Sequence, residues 1–272
     1  MAVKPFPRFV AILALVFFLA ITLVPFALLL IVSLRDNLDL MIQFWSWPEQ
    51  LKWSNYADAF AGVKSSIGNS LFVCSVTVIG AVALASLSGY AFARFRFAGR
   101  GLLFLMLLGV LMIPVLLTYI PLYSIIVTFK MTNTYWALIL PYIAGSHLLG
   151  IMLCRTFFES LPDELFEAAR MDGANELYVY GRIALPLSVP VLMTLGIVVF
   201  IAMYGDYLWP LLVLDESKYT FAVAAAKLNG NGRQDIGLSF AGYVIGSVPM
   251  IAVMAIGMKY YVEGLVSGAV KS

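Results

Sequence analysis

Residues 9–34 read FVAILALVFFLAITLVPFALLLIVSL, which is 26 consecutive residues without a charged side chain. A helix needs about 20 apolar residues to cross the roughly 30 Å hydrocarbon core of a bilayer. The stretch is far longer than the apolar segment of a secretory signal, which has about 7 to 15 residues. Apolar and polar residues do not alternate in it, which excludes a strand of a membrane β-barrel. It therefore predicts a retained membrane helix.

Five further charge-free runs follow, and the composition agrees with them. Of the 272 residues, 62% are hydrophobic and 12% are charged, with a mean hydropathy of +0.95, against roughly half and a quarter in soluble domains. We expect an all-α membrane protein with six transmembrane helices in a single domain, residues 1–272. The six runs cover residues 9–34, 65–93, 101–129, 131–154, 183–205 and 236–258.

The segments between the runs predict the orientation. With both termini cytoplasmic, the inner segments carry 10 Lys or Arg in 57 residues and the outer segments carry 7 in 61. Lys and Arg are enriched on the cytoplasmic side of membrane proteins. The loop 94–100 is the most basic, with three arginines in seven residues. We therefore expect cytoplasmic termini.

Several kinds of chemistry are excluded. A net charge of +2 does not suggest a nucleic-acid partner. Cys74 and Cys154 both lie in apolar runs, which favours helix packing over a disulfide framework or a zinc site. The single histidine, His147, excludes His-rich metal sites and an H-E-x-x-H protease. We expect no metal site.

Prolines interrupt the apolar runs. Each removes a backbone donor and tends to kink its helix, and bent helices suit a protein with a cavity. Proline is also simply commoner in membrane helices than in soluble ones, and both interpretations stay open. The seven prolines are Pro25, Pro114, Pro121, Pro141, Pro186, Pro190 and Pro249.

Residues 155–182 read RTFFESLPDELFEAARMDGANELYVYGR and separate the fourth and fifth runs. Pro162 suits the first turn of a helix, and the acids after it favour the positive end of the helix dipole. Gly173 comes where that helix would end, and a second short helical stretch follows before Pro186. The loop therefore predicts a helix, a glycine turn and a second helix.

The first of these helices has two different faces. Phe166 and Arg170 lie four residues apart on one of them. An interfacial helix on lipid headgroups would suit this pattern poorly, since the segment carries three acids and the membrane surface is anionic. A cytoplasmic protein partner fits better. The other face is smooth and carries Leu161, Leu165, Ala168 and Ala169.

The loop resembles the EAA signature of permease subunits of bacterial ABC importers. The match needs no gap, and further stretches agree along nearly the whole chain: SGYAFARFRFAGR, MIP, IPLY, NTYWALILP and YVEGLVSGAVKS. The form EAARMDGA with ALPL is similar to the carbohydrate-uptake branch, which includes maltose and other oligosaccharide permeases. The matching positions are Glu167, Ala168, Ala169, Gly173, Ile183, Leu185 and Pro186.

The resemblance implies a type I importer permease in the bacterial plasma membrane. The loop would be a coupling helix that sits in a cleft of a separate ATPase subunit. The implied partners are two ATPase subunits, a second and different permease subunit, and an extracytoplasmic solute-binding protein. The residues expected to couple to the ATPase are Glu167, Ala168, Ala169, Asp172 and Gly173.

The chain itself is not expected to be an enzyme. It has no G-x-x-x-x-G-K-[ST] motif to bind nucleotide phosphates, and its nearest look-alike, GLVSGAVKS, has the wrong spacing. ATP and Mg²⁺ would therefore bind the partner ATPase subunits, and we expect this chain to bind no cofactor.

The end of the fifth run departs from the pattern of the family. Relatives show WN-D/E-FLWPL where this chain reads YGDYLWP from Tyr204 to Pro210, which leaves the substrate open. Asp206 is either a solvated acid in an aromatic belt or a sugar-facing carboxylate with Tyr204 or Trp209 as an aromatic wall.

Three more residues are candidates for the substrate pathway. His147 packs between helices, lines the pore or couples transport to protons. Tyr119 and Tyr123 lie four residues apart and form either a pore wall or part of the core.

The outer loop from Asp215 to Asp235 contains the turn-prone stretch LNGNGRQD, and we expect it to contact the solute-binding protein.

Two other classes of protein compete with an ABC permease. An ion-gradient-driven secondary transporter of a small polar solute should show intramembrane acids or inverted repeats, and none of the six runs contains Asp or Glu. An intramembrane enzyme needs a nucleophile with a base, or a metal set, and one histidine leaves little for either.

Overall fold

A computed structural model describes residues 5–48, 50–228 and 235–269, with their side chains from 9 to 259. Part of the expected outer contact loop, residues 229–234, lies outside the described residues. Every regular element in these ranges is helical. The helices are α1 Pro5–Ser33, α2 Asn37–Ile42, α3 Ser54–Arg94, α4 Arg100–Leu111, α5 Val115–Thr128, α6 Trp136–Glu159, α7 Asp163–Met171, α8 Glu176–Val179, α9 Leu185–Leu187, α10 Val189–Tyr204, α11 Leu208–Val213, α12 Phe221–Lys227 and α13 Ile236–Ala269.

Four helices are long and apolar enough to cross a membrane, at residues 9–33, 54–94, 136–159 and 236–259. Two further pairs of helices pass the same test only when each bent pair is taken together, which raises the number of candidate spans in the described chain to six. The helix that corresponds to the fourth predicted run, residues 131–154, starts only at Trp136 and continues to Glu159. Before it, Met131 to Tyr135 form a turn in which Asn133 has a φ of 54°.

The third predicted run is broken. Helices α4 and α5 meet at an angle of 98°, and Pro114 stands between them with extended backbone, at φ −59° and ψ 126°. Proline has no N–H to donate, and it disfavours helical geometry at the residue before it. The expectation of a proline kink is confirmed at Pro114, where the helix axis turns by nearly a right angle.

The fifth predicted run is also bent. Its helical path begins at Glu176, inside the preceding loop, passes through a π-helical turn at Tyr180–Ala184, and breaks at Ser188 with a bend of 73°. Pro190 opens the helix after the break, where a missing N–H costs nothing. Ser188 is fully buried, and its hydroxyl donates to the Leu185 carbonyl at 2.8 Å.

The described chain forms two compact units. The first contains the described residues up to 65 and those from 224 to 248. In it, the Asn55 side chain donates to the carbonyls of Ser33 and Arg35, both at 3.0 Å. A Cβ on Gly237 would lie only 2.4 Å from the Arg35 carbonyl oxygen. The start of α13 and the start of α3 therefore both pack against the end of α1.

The second unit contains residues 66–223 and the described residues from 249 onward. Its helices α3 and α6 approach closely at glycines. A Cβ on Gly89 would lie 2.5 Å from the Cβ of Cys154, and one on Gly150 would lie 2.4 Å from the Cβ of Ala85. Small residues let helix backbones approach in this way in membrane proteins. Cys154 is buried between these helices, as its place in an apolar run predicted.

Candidate functional site

The loop between α6 and the bent pair folds as its sequence predicted. Helix α7 follows Pro162, with Asp163 and Glu164 in its first turn. It ends at Met171, and Gly173, two residues later, has a φ of 81°. The N–H groups of Gly173 and Ala174 return to the carbonyls of Arg170 and Ala169, both at 3.0 Å. This is a Schellman ending, in which a left-handed glycine satisfies the last carbonyls of the helix.

A second short helix follows the turn. The Asn175 side chain accepts a hydrogen bond from the Tyr178 N–H at 2.8 Å and so caps α8. An Asn at this position satisfies one of the orphan donors of a helix start. The helix, glycine turn and helix expected from the sequence are therefore present.

Phe166 fixes the orientation of α7. Its side chain is 1% exposed and belongs to the buried cluster that also contains Cys154, Phe158 and Leu195. Residues on an α-helix are separated by about 100°, so a residue two positions away lies nearly on the opposite side. Ala168 is accordingly exposed. Burying one aromatic side chain therefore turns the small side of α7 outward.

The expected smooth face is divided by this orientation. Leu161 and Ala169 pack against the buried cluster, whereas Leu165 and Ala168 are exposed. The expected separation of Phe166 from the smooth face therefore holds for Leu165 and Ala168 but not for Leu161 and Ala169, and the role of Phe166 as the anchor was not predicted. The available signal was that Phe166 is the only aromatic residue in α7.

Arg94, at the end of α3, holds the loop in place. Its guanidinium donates to the carbonyl oxygens of Phe158 at 2.6 Å and Leu161 at 2.8 Å, and it pairs with Asp163. The same group lies 3.8 Å from the centre of the Phe166 ring, a cation–π contact. Arg94 thus joins the end of α3 to the end of α6 and the start of α7. The basic loop 94–100, expected only to set orientation, supplies this clamp.

A second polar contact holds the far end of the loop. The Tyr90 hydroxyl donates to one oxygen of Glu176 at 3.2 Å, and Arg170 donates to the other at 2.8 Å. The hydrogen bond to Glu176 raises the pKa of Arg170 above its ordinary value. Both ends of α7 are therefore tied to α3.

The five residues expected to couple to an ATPase lie together on this loop. Glu167, Ala168, Asp172 and Gly173 are exposed, and Ala169 is half-buried. A Cβ on Gly173 would meet no atom of the described chain within 4 Å. The left-handed backbone, rather than crowding within the chain, is thus what restricts that position.

Replacing Gly173 by Val should impair transport, while replacing it by Asn should be tolerated. A β-branched side chain at positive φ is a genuine outlier, whereas Asn adopts the left-handed region readily. We expect Val to destabilise the turn by about 1 to 2 kcal/mol. In a complex reconstituted with the expected ATPase subunits, it should reduce substrate-stimulated ATP hydrolysis. Full stimulation and normal subunit co-purification in Gly173→Val would contradict the role of the turn.

A cavity of about 730 Å³ lies among α5, α6, α10 and α11, all in the second unit. Three of the expected pathway residues line it: Tyr119, Asp206 and Trp209. Tyr142 lines it as well, and the sequence analysis missed it, since a tyrosine inside an apolar run gives no distinctive signal. The rest of the lining is largely aliphatic, with Thr118 and Ser146 among the polar exceptions.

Asp206 has two structural partners in addition to its place in the cavity wall. One carboxylate oxygen accepts the Tyr142 hydroxyl at 2.7 Å, and the other accepts the N–H groups of Leu208 at 3.1 Å and Trp209 at 3.4 Å. Those N–H groups begin α11, so Asp206 caps that helix. Trp209 is held in turn, since its indole N–H donates to the Ala137 carbonyl at 3.0 Å. Tyr119 packs on Trp209 with ring centres 5.2 Å apart.

Three other expected pathway residues do not line this cavity. Tyr204 is buried in a stack between Phe200 and Phe221, with ring centres 5.5 Å apart on each side. His147 hydrogen-bonds through Nε2 to the Ser88 hydroxyl at 3.0 Å, which links α6 to α3. Tyr123 is exposed and outside the cavity lining. For His147 the geometry matches helix packing, the first of the three roles that the sequence left open.

The sequence of residues 81–265 matches the family described as the binding-protein-dependent transport system inner membrane component. The chain belongs to this family. As an inner membrane component with helices long and apolar enough to cross a bilayer, it is a multi-pass membrane protein.

Similar curated proteins agree with this family. The chain is 34% identical to a probable ABC transporter permease of Bacillus subtilis, over 88% of this chain and 80% of the relative. It is 32% identical to the arabinooligosaccharide permease AraQ of Halalkalibacterium halodurans, over 92% of each. It is 30% identical to the trehalose/maltose permease MalG of Thermococcus litoralis, over 97% of each.

The fold is also that of a known transporter chain. A crystal structure of a bacterial ABC transporter involved in the import of the acidic polysaccharide alginate matches with a TM-score of 0.76 at 20% identity. The match covers 96% of this chain and 99% of that one. The chain therefore has an ABC importer permease fold.

Proposed function

We propose that this permease carries an uncharged saccharide inward as one subunit of an ATP-driven importer. Relatives that cover nearly the whole chain are named for arabinooligosaccharide and for trehalose and maltose transport. In this proposal each bent helix pair counts as one span, which gives six transmembrane helices. Both termini face the cytoplasm, in agreement with the excess of Lys and Arg in the inner segments.

The orientation of α7 carries the proposal that the loop 155–182 couples to an ATPase. Phe166 and the Arg94 clamp hold the helix from the inner side, and the small Ala168 and the adjacent Glu167 are left exposed. A small, exposed, rigidly held surface suits close packing against a protein partner, because the contact orders few additional side chains. The partners are two ATPase subunits that bind ATP and Mg²⁺, a different second permease subunit and an extracytoplasmic solute-binding protein.

The chemistry of the cavity favours an uncharged substrate. Its described lining contains one carboxylate, Asp206, and neither Lys nor Arg nor His. An anionic substrate would meet one like charge and no cation in this lining. A neutral sugar would meet a carboxylate that accepts hydroxyl hydrogen bonds and aromatic rings that cover its apolar faces. Neither the anionic alginate of the neighbouring structure nor the glycerol 3-phosphate of other relatives is therefore our proposed substrate.

Replacing Asp206 by Asn should reduce uptake several-fold, by an amount that differs among sugar analogues. Asn keeps an oxygen for the N–H groups of Leu208 and Trp209, so the cap of α11 survives, but the charge that strengthens substrate hydrogen bonds is lost. That loss is worth about 1 kcal/mol. Uptake of analogues that each lack one hydroxyl measures the effect.

A matched control for this prediction is Tyr204→Phe. Tyr204 is near Asp206 in sequence but lies in a buried aromatic stack, so its replacement should leave the order of preference among sugars unchanged. An equal loss for every analogue in Asp206→Asn, with less protein in the membrane, would make Asp206 a structural cap only and would remove it from the substrate pathway.

A further inference from the structure

The segment between α1 and α3 folds around a buried arginine. Arg35 is 2% exposed, and its guanidinium donates to the carbonyl oxygens of Phe44 at 2.7 Å and Gln43 at 2.8 Å and to the Ser46 hydroxyl at 2.8 Å. A longer contact of 3.4 Å reaches the Asp39 carbonyl. These bonds turn the polar backbone of residues 36–48, here named the tryptophan loop, toward the inside of the loop.

The outward surface of the tryptophan loop is consequently apolar. Trp45 is 80% exposed and Trp47 is 77% exposed. Leu38, Met41 and Ile42 of α2 are also exposed, at the i, i+3 and i+4 spacing that places them on one face of a helix. From residue 40 to residue 48 the sequence LMIQFWSWP carries no charge. Exposed apolar side chains in this number mark a surface that contacts something other than water.

The position of the loop identifies its partner. The apolar part of α1, residues 9–33, contains 25 residues and is about 37 Å long at 1.5 Å per residue, which is enough to cross a core of roughly 30 Å. Arg35 follows two residues later. Asn55 ties the start of α3 to the carbonyls of Ser33 and Arg35, so both ends of the loop lie at the end of that span.

A loop at this level meets the boundary between hydrocarbon and headgroups. The exposed apolar surface of the loop also continues that of α1, on which Phe26 and Leu30 are exposed. Tryptophan is enriched at this boundary, because its ring is apolar and its N–H is polar. We propose that the tryptophan loop rests on the bilayer surface, with Trp45 and Trp47 inserted among the lipid headgroups as an anchor for the first span.

The proposal does not depend on which side of the membrane the loop faces, nor on the transported substrate. Arg35 shapes the loop rather than binding an anion, since its two terminal nitrogens donate to carbonyl and hydroxyl oxygens of the loop. The arginine shapes the loop, and the tryptophans make the contact with lipid.

Spin labels test the contact directly. Single cysteines in place of Trp45 and Trp47, in a full-length chain with Cys74 and Cys154 replaced by Ser, are labelled with nitroxides. The chain, together with the subunits that co-purify with it, is reconstituted into vesicles of phosphatidylethanolamine and phosphatidylglycerol. Collision rates with oxygen, which concentrates in lipid, and with a water-soluble nickel chelate are then measured. Met171, exposed on α7, provides the water-facing control, and all three labels are also measured in the chain reconstituted alone so that they are compared in one preparation.

Labels at both loop positions should collide several-fold more often with oxygen, relative to the chelate, than the label at Met171. A chelate collision rate equal to that at Met171 would place the loop in water and overturn the proposal. Protection from both reagents, caused by the sister subunit or by the solute-binding protein, would show a protein occupant and would overturn it as well.

A variant pair separates lipid anchoring from a defect in folding. Arg35→Gln removes the charge that organises the loop, and we expect it to raise chelate access at Trp45 and Trp47 several-fold. Lys52→Gln, which breaks only the exposed bridge to Asp36, should leave access unchanged. Equal access in the two variants would contradict the organising role of Arg35.

Discussion

Replacing Ala168 by Phe should abolish transport without lowering the amount of the chain in the membrane. Ala168 is exposed and lies nearly opposite the buried Phe166 on α7, so a larger side chain there meets no atom of its own core. Any loss of transport activity in this variant must therefore arise in the contact with a partner. Inserting several carbons into a close-packed surface costs about 1 to 3 kcal/mol or more.

Co-purification of the ATPase subunits and substrate-stimulated ATP hydrolysis measure this effect. Leu177→Phe is the matched control, since Leu177 is 79% exposed on α8 and outside the signature, and it should retain most activity. Normal transport by Ala168→Phe would contradict the proposal that this side of α7 seats in an ATPase cleft.

Replacing Phe166 by Ala should also abolish transport, but here the ATPase subunits stay bound. The substitution leaves the exposed side of α7 unchanged and removes the ring that packs against Arg94 and the buried cluster. Truncating a buried phenylalanine to alanine costs about 3 to 5 kcal/mol of stability. Without it, α7 can move in its partner without moving α3 and α6, so ATP hydrolysis continues while the pathway does not open.

Leu177→Ala provides the control for this second variant, because Leu177 is an apolar residue of the same loop but is exposed on α8 and outside the buried cluster. It should retain both transport and hydrolysis. The decisive measurement is the number of substrate molecules moved per ATP, which should fall at least about tenfold in Phe166→Ala, as a loss of 1.4 kcal/mol or more would produce. An unchanged ratio, whatever the thermal stability, would contradict the role of Phe166 as the link between the two movements.

Features of local sequence could be predicted well. Charge-free runs revealed the apolar helices, because a bilayer imposes a length and a composition on each one. Pro162 and Gly173 predicted the start and the end of α7, because the chemistry of a helix end depends only on nearby residues. Pro114 was only one of seven candidate positions for a kink, and Pro25, Pro121, Pro141 and Pro249 lie inside helices that continue through them.

Features that depend on distant contacts could not be predicted. The 98° between α4 and α5 is an angle that packing sets, since proline removes a bond without dictating a direction. The partnership of Asp206 with Tyr142 joins residues 64 positions apart, and only the folded bundle brings them together. The sequence similarly gave no means to separate Tyr119, which lines the cavity, from Tyr123, which does not.

The glycine contacts between α3 and α6 also bear on genetics. At Gly89 the nearest atoms to an added Cβ include the backbone nitrogen of Arg155, 3.0 Å away, and a backbone cannot move aside as a long side chain can. Every missense change in a glycine codon adds at least one carbon, so no point mutation at this position is conservative. A codon that contributes no charge, ring or hydrogen bond is thereby intolerant of change, and harmful variants are expected there as well as at the residues proposed to face the substrate or a partner.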